Sequence, residues 1–82
     1  MRFKEIIEHK DVVPYIISRN LLEQYKKAKS YLLDGLFDKV DFKIRKPKND
    51  KVYQFRINQK YRAYCFIEGD ILKIFKISDH QD

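Results

Sequence analysis

Two arginines, Arg56 and Arg62, fall within the stretch Val52-Tyr-Gln-Phe-Arg-Ile-Asn-Gln-Lys-Tyr-Arg-Ala-Tyr-Cys-Phe-Ile67. Both stand in runs of aromatic and β-branched residues, at places on a sheet where apolar side chains would normally sit. Arginine stays charged in proteins and presents a planar fork that matches phosphate oxygens. Two such groups on rigid strands could hold a phosphodiester and stabilise the negative charge that develops when a ribose hydroxyl attacks it. His80, just beyond the last strand-like run, adds an imidazole, the usual proton shuttle near neutral pH. The structural alternatives are ion pairs with Glu68 or Asp70 for the arginines, and an exposed tail position for His80. His9 has no supporting context.

A second candidate is the segment Lys43-Ile-Arg45-Lys46-Pro47-Lys48-Asn49-Asp50-Lys51, in which five of nine residues are basic and one is acidic. Lys43, Arg45, Lys46, Lys48 and Lys51 suit a phosphate backbone; a solvated connector would have the same composition. Tyr53, Tyr61 and Tyr64 interleave with the cations. They could stack bases, with Tyr61 the candidate beside Arg62, or form ordinary cross-strand pairs. No metal or cofactor is expected. Two histidines and one cysteine far apart give no ligand spacing, and Gly35 and Gly69 are the only glycines, so there is no phosphate-binding loop. Cys65 is alone, which excludes an internal disulfide, and its apolar strand context makes it a small buried hydrophobe.

The chain that must position these groups has 82 residues, enough for one domain. A domain of this size buries roughly 60% of its unfolded surface. The apolar fraction of 44% and only two residues each of glycine and proline argue for a folded chain. The net charge of +6 points to nucleic acid first, then to an acidic protein partner, or to solubility alone. The N-terminus lacks a signal-peptide apolar region, and the longest apolar run, 12–17, is far too short to span a bilayer. The expectation is a cytoplasmic protein without membrane contact.

Residues 1–10 fit either a helical stripe (Phe3, Ile6, Ile7) or a short strand at a sheet edge. Asp11 could cap a short helix through Ser18, with Pro14 in its first turn. A second helix follows from Asn20 to Asp34. Asn20 and Glu23 resemble a capping box, Leu21, Tyr25, Ala28 and Leu32 recur on one stripe, and Gly35 is the stop. From Val52 the period becomes two. Tyr53, Phe55 and Ile57 oppose Gln54 and Arg56; Tyr61, Ala63, Cys65 and Ile67 oppose Arg62, Tyr64, Phe66 and Glu68. After a three-residue turn at Glu68-Gly69-Asp70, Ile71, Lys73, Phe75 and Ile77 alternate with Leu72, Ile74 and Lys76. The second of these strands is apolar on both faces, which predicts the middle of a three-stranded antiparallel meander preceded by helices.

The strand pair around Phe55-Arg56-Ile57-Asn58 and Tyr61-Arg62, with the closing Asp79-His80, resembles the C-terminal half of the RelE/ParE toxin superfamily over residues 43–80. The helix Asn20–Asp34 matches that family's second helix in order and length. The resemblance implies an α+β fold with N-terminal helices packed on a twisted antiparallel sheet. It implies the toxin of a toxin–antitoxin pair: a metal-independent mRNA endoribonuclease acting on the ribosome, or, in the ParE branch, an inhibitor of DNA gyrase. A cognate acidic antitoxin, the ribosome and mRNA are the implied partners. Arg62 and His80 match positions that family uses functionally, Arg56 matches the arginine of its Arg-Ile pair, and all three are the candidate catalytic residues. The chain departs from the pattern at Asn58, where RelE-like chains carry an arginine, and at Gln81, where YoeB-like chains carry a tyrosine. A non-catalytic member of that family and a basic adaptor for an acidic protein are the remaining alternatives.

Overall fold

The computed structural model describes residues 2–79. Strand β1 (Glu5–Glu8) precedes helices α1 (Val12–Ser18) and α2 (Leu22–Leu33). Then come β2 (Lys43–Ile44), β3 (Tyr53–Arg56), β4 (Tyr61–Glu68) and β5 (Ile71–Asp79). Short 3-10 turns at Phe37–Val40 and Lys48–Asp50 flank β2. The class is α+β, and the sheet order is β1-β5-β4-β3-β2 with β4 central, as its two apolar faces predict.

The sheet is not purely antiparallel. β3, β4 and β5 form the expected meander, but β1 adds to the far edge parallel to β5, with Glu5 opposite Ile71 and Glu8 opposite Ile74. The strand alternative for residues 1–10 is therefore the correct one, and Phe3 enters the core just before it. The expected three-residue turn closes to two residues, because Glu68 and Ile71 pair directly. Gly69 takes φ +63°, which fits a two-residue loop with glycine first.

Helix ends explain a further correction. Asn20 does not cap α2; it closes α1. It takes φ +60°, its N–H donates to Ile17 O at 3.0 Å, and the Leu21 N–H donates to Ile16 O at 2.9 Å. That is a Schellman motif with asparagine in the left-handed position. The helices abut so closely that Leu21 itself starts α2, without a side-chain cap hydrogen bond. Asp11 likewise starts α1 with no side-chain cap bond. Gly35 ends α2 as expected: at φ +77° its N–H reaches Leu32 O at 3.1 Å, and the Leu36 N–H reaches Tyr31 O at 2.8 Å.

The stripe Leu21, Tyr25, Ala28 and Leu32 is buried throughout. It joins Val12 and Ile16 of α1 and Val40 in one core with Phe55, Ala63, Cys65, Leu72, Ile74 and Ile77. Both helices thus lie on one side of the sheet. One polar contact is built into this side: Glu8 accepts hydrogen bonds from Tyr25 Oη at 2.5 Å and Lys29 Nζ at 2.9 Å. Burial pushes the Glu8 carboxyl up, but these two bonds and the Lys29 charge outweigh it and hold the group below the usual carboxylate range. The Tyr25 hydroxyl is pushed up by burial and by that carboxylate. Among the described residues, no helix is long and apolar enough to cross a membrane.

Candidate nucleic-acid interface

The side of the sheet away from the helices carries the charge. Phe55 pairs with Ala63 toward the core, so the flanking pairs Gln54–Tyr64 and Arg56–Arg62 project to the opposite face. Arg56 and Arg62 are direct cross-strand partners. Like charges in that relation are destabilising. Asp41, in the left-handed region at φ +53°, sits 3.5 Å from Arg56 Nε and 3.4 Å from Lys43 Nζ, and so offsets part of the local positive charge.

β2 brings the start of the basic segment to the same face. Lys43 pairs with Gln54, and the Arg45 guanidinium lies 4.8 Å from the centre of the Tyr64 ring in a cation–π contact. Gln54 and Tyr64 are each 7% exposed. Lys43, Arg45, Arg56 and Arg62 therefore surround a rigid polar and aromatic floor. Pro47 falls after β2 ends, as its missing N–H requires. Lys46, Lys48 and Lys51 continue the charge outward along the loop and its 3-10 turn, all exposed. Tyr61 is placed apart from the arginines. It packs toward the helices, with its ring 6.3 Å from that of Tyr15 in an edge arrangement. His80 lies outside the described residues.

The register of β5 differs from simple alternation. Tyr64 pairs with Lys76 but Cys65 pairs with Ile74, so Phe75 is an extra residue in a β-bulge. The bulge keeps Leu72, Ile74 and Ile77 all in the core. Lys76 and Ser78 consequently oppose Tyr64 and Arg62 on the charged face, and Lys76 does not share the side of Leu72 and Ile74. Phe75 stacks on Phe66 at 4.6 Å on the outer surface, where Phe66 is 44% exposed. The bulge had a signal in the sequence, because the apolar spacing passes from two (Leu72, Ile74) to three (Ile74, Ile77).

Cys65 is fully buried, and burial pushes its thiol up to about 12, which leaves it without nucleophilic character at neutral pH. Among the described residues, no cluster of three His, Cys, Asp or Glu side chains is placed to hold a metal ion. The face thus gathers cations along β2 and β3 and sets two arginines at directly paired positions. No protein-family model matches the chain, and no curated protein matches it.

Proposed function

We propose that the chain is the toxin of a toxin–antitoxin pair, a RelE-like mRNA endoribonuclease that acts on the ribosome. The observation that carries this reading is the direct cross-strand pair Arg56–Arg62 on the charged face. Two arginines at directly paired positions bring two forks of the kind that matches phosphate oxygens to neighbouring strands of one sheet. The adjacent Lys43 and Arg45, followed by Lys46, Lys48 and Lys51, supply the track for a phosphate backbone.

In the proposed reaction the ribose 2′-oxygen attacks the adjacent phosphorus and the bond from phosphorus to the 5′-oxygen breaks. A 2′,3′-cyclic phosphate and a 5′-hydroxyl result. One proton leaves the 2′-hydroxyl and one reaches the departing 5′-oxygen, so the step needs no redox partner. Arg62 and Arg56 stabilise the phosphorane. The family resemblance assigns the proton transfer to His80. The protein is cytoplasmic in this reading, and a small acidic antitoxin neutralises it.

Incubation with programmed ribosomes tests the reading. Cleaved mRNA, with cleavage lost in Arg62→Ala, supports it. Intact mRNA together with inhibited DNA supercoiling replaces it with a gyrase-directed, ParE-like toxin. If neither occurs, the charged face serves an acidic protein.

A further inference from the structure

A second basic concavity lies on the other side of Arg56. Helix α2, the 3-10 turn at Phe37–Val40 and the β3–β4 connection enclose a groove of about 430 Å³. That is within the roughly 300–1,000 Å³ of pockets that hold small molecules. Its floor is apolar, from the buried Ala28, Val40 and Ile57. Tyr31, half-buried, forms one wall, and Lys27 and Lys39 are exposed at the rim. The Lys27 ammonium lies 6.0 Å from the centre of the Tyr31 ring. Arg56 belongs both to this groove and to the charged face.

The polar wall is held in place. Asn58 Oδ1 accepts from the backbone N–H groups of Lys60 and Tyr61, each at 2.8 Å. That fixes the amide, whose Nδ2 donates to Gln24 Oε1 at 2.8 Å. The remaining lone pair and N–H groups of two linked carboxamides can read the edge of a base. An apolar floor, an aromatic wall, an anchored amide pair and three cations match the parts of a nucleotide: base, edge and phosphate. Charge alone would fit a bare anion. The floor and ring would have no role for one.

We infer that this groove takes one nucleotide of a single-stranded RNA, next to the phosphate held by Arg56 and Arg62. The inference rests on the reading of the chain as an RNA-handling protein. Because Arg56 faces both sites, a strand passing over the edge of β3 can engage them with consecutive phosphates. Asn58, a departure from the family pattern, becomes in this chain a ligand-facing group.

The test is titration of the protein with 5′-AMP, adenosine and inorganic phosphate, followed by the amide NMR signals of Asn58, Gln24 and Ala28. The expected result is saturable movement of these signals with 5′-AMP, tighter than with either fragment. Lys27→Glu combined with Lys39→Glu should abolish it, with the remaining spectrum retained. Tyr31→Ala should weaken it by roughly tenfold or more, the value of one base stack, while Tyr31→Phe should keep it. Absence of movement at millimolar 5′-AMP overturns the proposal, and so does equal binding of phosphate and 5′-AMP. If wild-type protein cleaves mRNA and 5′-AMP leaves the groove signals unmoved, the groove proposal fails alone. If 5′-AMP binds there and mRNA stays intact, the nuclease reading fails and the groove stands.

Discussion

The two faces of this sheet are built from the same strands and obey different rules. Toward the helices, Phe55, Ala63, Cys65, Leu72 and Ile74 are buried in one core. One residue along in β3 and β4, Gln54, Arg56, Arg62 and Tyr64 face away from it. The helix side is selected by removal of apolar area from water. The opposite side keeps two arginines at directly paired cross-strand positions, which removal of apolar area from water does not select. Substitutions should therefore separate the faces: on one they should cost stability, on the other activity.

The largest effect is expected from the core. Phe55→Ala should lose about 3–5 kcal/mol of stability, a large share of the total for a domain of this size. Urea unfolding measures it; a loss under about 1 kcal/mol would mean that the helix side is not packed as described. Next is Arg62→Ala, which should stay folded while cleavage slows by about 10²–10³, or 2.7–4 kcal/mol in the barrier. Arg62→Lys should not restore the rate, since lysine lacks the fork. An unfolded Arg62→Ala protein would erase the distinction between the faces.

A smaller effect concerns the polar contact on the helix side. The folded Glu8 carboxyl is held below its ordinary range, so its contribution is present at neutral pH and above the unfolded pKa of about 4.3, and is lost as pH falls through the folded value. Glu8→Gln should remove roughly 1.5–3 kcal/mol at pH 7 and flatten the acid limb of a stability-versus-pH curve. An unchanged acid limb would show that Tyr25 and Lys29 do not bind the carboxylate in solution. The smallest effect is at the loop. Neutralising Lys46 and Lys48 should lower the slope of log affinity for RNA against log salt by roughly 0.7–0.9 for each phosphate that no longer meets a cation. If the slope holds, charge at Lys43 and Arg45 suffices and the loop is a solvated connector.

Local chemistry made much of the frame readable. The stripe of α2 and its Gly35 stop depend on residues within a few positions of each other, and both stand where the sequence places them. Alternation also put Arg56 and Arg62 opposite Phe55 and Ala63. Asn20 was legible as a helix boundary but not as the end of α1, because an asparagine fits both a cap and a left-handed closure. The site was readable to the same depth. Lys43 and Arg45 could be named as cations, but their face depends on β2 pairing with β3.

The sequence by itself determined the α+β class, the meander, the central place of β4 and the presence of two arginines on one strand pair. Those follow from period, turn residues and burial, which act within a strand or between neighbouring ones. Tertiary structure alone decided the parallel docking of β1 on β5 and the Gln24–Asn58 bond. Each joins residues distant along the chain. No local propensity encodes such a choice, because the energy that settles it is released only when the layers pack together.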